Sequence, residues 1–251
     1  MLLHILFILT FASILVHCQK NILFLAADDM RPNLGVYKDS NSDIFKQPPM
    51  YTPNLDALAS KSLLFEKAYD AQALCSPSRT ATMTSRRPDT TSILNIGYYW
   101  RDYGGNFTTI PQFFKENGYF TIGAGKVFHG GPSSSPANDH KSGHDCKYSW
   151  SQGCPYHNSP DRYPESGDVS WRGFNKSTLD EVPLQDQANV KWIVPKLRDA
   201  AKAFKEDGTP FFVAFGTYKP HTPWLVLTKR SVHILYRRIN QFTNLINCTF
   251  V

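Results

Sequence analysis

Three apolar runs that each stop at a polar cluster constrain this chain more than any other feature. "NILFLAADDM" (21–30) ends on Asp28 and Asp29. "GYFTIGAGKVFHGG" (118–131) passes through an apolar stretch to Lys126 and His129. "TPFFVAFGTYKPHTPW" (209–224) ends on Lys219 and His221. Each run has the length and content of a buried strand, and helical segments lie between them. Strands alternating with helices predict an α/β fold, a mostly parallel sheet with helices on both faces. In such sheets the carboxyl ends of the strands open on one crevice. The pattern therefore predicts one shared site containing acids, lysines and histidines.

The intervening helices are read from periodicity and caps. "TPNLDALASKSLLFEKA" (52–68) repeats Leu55, Leu58, Ala59 and Leu63 at helical spacing, with Thr52 or Asn54 as cap. Residues 110–117 form a second helix, stopped by Gly118. "DQANVKWIVPKLRDAAKAFKEDG" (186–208) places Val190, Ile193, Val194, Leu197, Ala201 and Phe204 on one face, and Pro195 is expected to kink or divide it.

Residues 1–18 are apolar apart from His, Thr and Ser and precede Gln19 and Lys20. They read as a signal peptide removed on export, because the run is short for a span of about 20 residues. No stable membrane insertion is expected after its removal. Three glycosylation sequons, at Asn106, Asn175 and Asn247, agree with the export route. Residues 19–224 read as the domain proper. Residues 225–251 form a divergent basic tail carrying Lys229, Arg230, Arg237 and Arg238 and no acid. That tail supplies +4 of the formal charge of +6, so the body is nearly balanced. A nucleic-acid partner is not expected, since no basic stripe with interleaved aromatics is present.

With Cys18 gone, Cys75, Cys146, Cys154 and Cys248 remain. In an oxidising compartment they can form two disulfides. Cys146 with Cys154 would close a short loop worth about 2–3 kcal/mol, and Cys75 with Cys248 would tie "CSPSR" to the tail. Alternatively Cys75 opens a helix, where the dipole and Arg79 favour a thiolate or an oxyanion. Asp28 and Asp29 form a hard-oxygen pair suited to Ca²⁺ or Mg²⁺. Lys126, His129 and His221 can donate to an oxyanion, and either histidine can act as a general acid. Zinc motifs of the H-E-x-x-H or C-x-x-C kind are absent. "NDHKSGHDC" (138–146) reads as a polar surface loop.

"CSPSR" (75–79) matches Cys-x-Pro-Ser-Arg, the signature of the sulfatase family, and a Thr-rich turn follows it. The chain resembles that family in "ADD" (27–29), "RPNLGVY", "SRRPDTT", "YYWR", "GNFTTIPQFFKENGY", "GKVFHGG" and "YKPHTPW" as well. These resemble most the members that desulfate glycosaminoglycans. The resemblance implies an alkaline-phosphatase/sulfatase-like fold in a lysosomal or secreted protein. It implies that a formylglycine-generating enzyme converts Cys75 to formylglycine, which attacks the sulfate. It implies Ca²⁺ held by Asp28, Asp29 and residue 75, with Arg79, Lys126, His129 and His221 catalytic. Lys126, His129, Lys219 and His221 would bind a sulfated glycosaminoglycan. The family's "DHG" motif is missing, and the sequence after Trp224 resembles nothing in the family. A truncated, weakly stable and weakly active or inactive chain is therefore expected. The alternative is a secreted non-catalytic fragment that binds sulfated glycans.

Overall fold

A computed structural model describes residues 19–37, 50–136, 143–162 and 171–227. The signal peptide, the Asn247 sequon, Cys248 and residues 228–251 of the basic tail lie outside the described residues. In chain order the elements begin with β1 (Ile22–Ala27), α1 (Pro53–Ala59), α2 (Cys75–Thr84), α3 (Pro88–Thr91) and α4 (Trp100–Tyr103). There follow α5 (Ile110–Glu116), β2 (Phe120–Gly125), α6 (Cys146–Ser149), β3 (Tyr156–His157) and β4 (Trp171–Phe174). The last are α7 (Lys176–Glu181), α8 (Gln185–Asp207), β5 (Phe211–Thr217) and β6 (Trp224–Leu227).

The main sheet runs β1-β5-β2-β3, and every pairing in it is parallel. A separate parallel pair joins β4 to β6. Alternation along β5 divides the core between the two sheet faces. Phe212 and Ala214 pack with Met83, Trp100, Phe128 and Trp150. Phe211, Val213 and Phe215 pack with Ile122, Ala124, Ile193 and Leu197. The sheet thus carries α2, α4 and α5 on one side and α8 on the other, as the alternating pattern predicts.

Register brings the strand ends level. Ala27 pairs with Thr217, and Gly125 with Gly216. The Asp28 amide donates to the Thr217 carbonyl at 3.2 Å, and the Lys126 amide to the Gly216 carbonyl at 2.9 Å. A Cβ on Gly216 would lie 1.9 Å from the Lys126 oxygen, so only glycine permits this crossing. Gly125, at φ 73°, turns the chain out of the sheet there.

Some local expectations fail. The helix expected over 52–68 ends at Ala59. Ser60 and Ser62 turn their hydroxyls onto the Ala57 and Leu58 carbonyls, at 2.9 and 2.8 Å, and so compete with helix propagation. Leu63 is left exposed. Thr52 does not cap α1; its hydroxyl accepts from the Gly35 amide and donates to Asp56. Pro195 does not divide α8, which runs unbroken from Gln185 to Asp207 around its buried face. The surface reading of 138–146 also fails where the chain is described. Residues 138–142 lie outside it, but Asp145 is buried and His144 half-buried with its Nδ1 enclosed. Asp145 is held by Arg101 and Tyr99, both from a distant part of the sequence, and by nearby Ser149.

Candidate active site

The level strand ends make a cleft of about 610 Å³, lined among others by Asp28, Asp29, Leu74, Cys75, Arg79 and His221. Cys75 is the first residue of α2, and Leu74 at the cap position is extended, so the helix N-terminus faces this cleft. β1 delivers the two acids. Asp28 is buried, whereas Asp29 is exposed and adopts the left-handed region, φ 55°. The turn at Asp29 sends the two adjacent carboxylates to different tasks.

Asp28 is the anchor. Arg79 Nη2 lies 2.6 Å from its Oδ1, and Lys126 Nζ is hydrogen-bonded to its Oδ2. Burial alone would raise its pKa, but the bonds from Lys126 and Arg79 outweigh that and hold it below the ordinary carboxylate value. Arg79 is fixed further by the carbonyls of Lys126 and Val127. Its Nε is buried without a partner among the described residues.

Cys75 sits over this triad. Its Sγ lies 3.6 Å from Lys126 Nζ, 3.8 Å from Asp28 Oδ1 and 4.0 Å from Asp29 Oδ1. The expectation that the helix dipole and Arg79 would favour a thiolate does not hold. Burial pushes the thiol's pKa up, and the two acids add to that against the pull of Lys126. The thiol is therefore a poor resting nucleophile in this setting. Among the described residues Cys75 is free, and Cys146 and Cys154 are joined as a disulfide with a Cα–Cα distance of 5.2 Å.

His221 reaches the cleft from the turn after β5. Its Nε2 lies 3.6 Å from Asp29 Oδ2, and its Nδ1 is hydrogen-bonded to the Thr222 carbonyl. Lys219 does not bring its ammonium to Cys75. Its Nζ donates to the carbonyls of His221, at 3.1 Å, and Pro223, at 2.6 Å, so it braces the turn carrying His221. His129 is not one of the clustered ligand groups: it is half-buried, with Nδ1 3.1 Å from the Gly130 oxygen, though it feels the charges of Lys126, Arg79 and Asp28. Burial lowers its pKa, and the charges of Lys126 and Arg79 add to the effect.

Four ligating atoms, from Asp28, Asp29, Cys75 and His221, lie within 4.8 Å of one another. Three supporting residues escape a sequence reading. The Tyr156 hydroxyl donates to the Gly125 carbonyl and accepts the Val127 amide at 3.3 Å, clasping the backbone on either side of Lys126. Asp186 accepts the amides of Tyr218 and Lys219 at 2.8 and 3.0 Å and sets the exit of β5. The Tyr218 ring lies 5.7 Å from Lys126 Nζ. Only Asp186 carried a signal, as an acid in the first turn of a helix beside a strand end. Of the sequons, Asn106 and Asn175 are exposed. Asn175 also caps α7 by accepting the Thr178 amide.

The model of the family described as Sulfatase matches residues 20–230. The chain is 40% identical over 214 residues to iduronate 2-sulfatase of Homo sapiens, covering 81% of this chain and 36% of that protein. It is 29% identical over 229 residues to a sulfatase of Formosa agariphila, covering 84% and 41%. The chain thus spans little more than a third of these relatives. Among solved structures, the phosphonate monoester hydrolase of Agrobacterium radiobacter superposes with a TM-score of 0.56 at 17% identity, over 84% of this chain and 43% of that one. Ps i-CgsB in complex with k-i-k-neocarrahexaose gives 0.51 at 21% identity, over 82% and 46%. At these identities the two structures support the fold alone.

Proposed function

Because the chain belongs to the sulfatase family, we propose that it is built to hydrolyse a sulfuric ester of a glycosaminoglycan, with 2-sulfated iduronate of heparan and dermatan sulfate as the substrate group. The observation that carries this reading is the place of Cys75. It heads a ten-residue helix between two carboxylates and an ammonium, at the common end of parallel strands. The similarity to human iduronate 2-sulfatase supports the choice of sugar.

On this reading a formylglycine-generating enzyme acts on Cys75 along the secretory route to a lysosomal or extracellular destination. Formylglycine supplies a hydrated aldehyde hydroxyl for attack on sulfur, and Ca²⁺ supplies polarisation of the sulfate oxygens. Asp29 offers a hard oxygen donor beside residue 75, with Asp28, already bonded to Arg79 and Lys126, behind it. Arg79 and Lys126 present fixed positive charge where oxyanion charge develops. His221 Nε2 faces the cleft and delivers a proton to the leaving sugar oxygen. His129, whose pKa burial lowers, takes a proton as sulfate leaves. Lys219 serves substrate binding through the turn it braces.

The test is sulfate release from a disaccharide with a non-reducing 2-sulfated iduronate, in Ca²⁺, by the full chain whose residue 75 has been identified by peptide mass spectrometry. Release that disappears in Cys75→Ala supports the reading, and no release from chain carrying formylglycine overturns it. Tight binding of the disaccharide without release would favour the non-catalytic glycan-binding alternative.

A further inference from the structure

The cluster around Cys75 has a second chemistry while the side chain is still a thiol. Its donors are not equivalent. Both oxygens of Asp28 are already engaged, one by Arg79 and the other by Lys126. Three donors remain turned toward one another: Cys75 Sγ, His221 Nε2 and the Asp29 carboxylate. Asp29 bridges the other two, with Oδ1 4.0 Å from the sulfur and Oδ2 3.6 Å from the imidazole nitrogen. In a tetrahedral zinc site with bonds of about 2.0–2.3 Å, ligand atoms lie about 3.3–3.8 Å apart. Small side-chain rotations close that gap.

We propose that the unconverted cleft is a binding site for a soft, four-coordinate divalent cation of the Zn²⁺ class, held by Cys75 Sγ, His221 Nε2 and Asp29, with the fourth position open to water. The hydrogen bonds around these ligands favour it. The Nδ1–H of His221 is spent on the Thr222 carbonyl, which leaves the lone pair of Nε2 directed at Asp29. Lys219 pins the carbonyls on both sides of Thr222. Lys126 Nζ, 3.6 Å from Sγ, can donate to a metal-bound sulfur. Ca²⁺ takes six to eight oxygens, and two carboxylates, one of them already engaged, provide few. The step balances as Cys75–SH + M²⁺ → Cys75–S–M⁺ + H⁺, the proton passing to solvent. Conversion to formylglycine would remove the sulfur and turn the preference toward hard cations. That corollary rests on the sulfatase reading, whereas the thiol-form site does not.

The probe is Co²⁺, titrated into the full chain with Cys75 verified as cysteine by peptide mass. A near-ultraviolet thiolate-to-cobalt band should saturate at one equivalent. It should be absent in Cys75→Ser with unchanged far-ultraviolet dichroism. Affinity should fall about tenfold or more in His221→Gln. Equimolar Zn²⁺ should erase the band, and a hundredfold excess of Ca²⁺ should leave it. Should Cys75→Ser fail to fold, alkylating Cys75 in the folded wild type must remove the band. No band in folded wild type, an equal band after loss of Cys75, or displacement by Ca²⁺ would each overturn the site. A converted enzyme that released no sulfate would leave this result untouched, so the two readings fail separately.

Discussion

Two buried aspartates, Asp28 and Asp145, each pair with an arginine, yet the molecule uses them in opposite ways. Asp145 is sealed. Arg101 grips it with two bonds of 2.8 Å, and Tyr99 and Ser149 donate to the same carboxylate. The Arg101 and Asp145 side chains are 4% and 0% exposed. Arg101 also reaches Gln112 and the Phe107 carbonyl and stacks on Tyr148. Asp28 has comparable partners, but its cluster borders the cleft and leaves the Cys75 thiol and the Asp29 carboxylate facing outward. Saturation on all sides makes a structural joint. A charged triad open on one side makes a site with a rigid base.

Breaking the two clusters should therefore give different phenotypes. The largest effect belongs to Cys75→Ala: sulfate release should fall at least about a thousandfold, while the denaturant midpoint scarcely moves. Arg101→Met should do the reverse. Removing one partner of a buried pair costs about 3–5 kcal/mol, so urea unfolding should shift strongly, with residual turnover tracking the folded fraction. A change confined to turnover would dissolve the contrast.

His144 sharpens the comparison through pH. It is half-buried beside Asp145, stacks on Tyr156 with ring centroids 4.3 Å apart, and has an enclosed Nδ1 without a partner among the described residues. Burial pushes its pKa down to about 4 from the usual 6.5. Between those values the unfolded chain binds a proton that the folded chain does not. Its contribution is complete above pH 6.5 and is lost as pH falls toward 4, by up to about 1.4 kcal/mol per pH unit. His144→Phe should flatten that slope in stability measured across the interval. Asp28 acts in a different window. Its pKa is depressed, so its ion pairs hold above the ordinary carboxylate value of 3.8 and are lost only in stronger acid. The smallest effect is expected at the solvent-exposed pair Lys176–Asp180, where Lys176→Ala should change stability by less than about 0.5 kcal/mol. A larger loss there would mean that exposure does not separate the classes of ion pair.

The sequence carried the sheet and the principal acids, bases and thiol, because strand ends are marked locally by a change from apolar to charged residues. Asp28, Lys126 and His221 were visible in that way, and Cys75 and Arg79 through the helix start and the CSPSR motif. The interior role of Asp145 was not, because its partners Tyr99 and Arg101 lie more than forty residues away and its own segment reads as polar loop. Tyr156 was missed for a related reason: it acts on backbone groups of another strand and the turn after it, which leaves no pattern around itself, while Asp186 carried only the weak signal of an acid in the first turn of a helix. Metal spacing rules, which see local ligands, do not find Cys75, His221 and Asp29 as one ligand set, because it joins three separate elements; the strand-end pattern and the family resemblance are what placed them in a common site.

The most direct test of the central claim is sulfate release from the 2-sulfated iduronate disaccharide in Ca²⁺, comparing wild type carrying formylglycine at position 75 with Cys75→Ala. The account predicts release that is abolished in the variant although its unfolding curve matches the wild type. Release unchanged by the substitution, or none from the wild type, would contradict it.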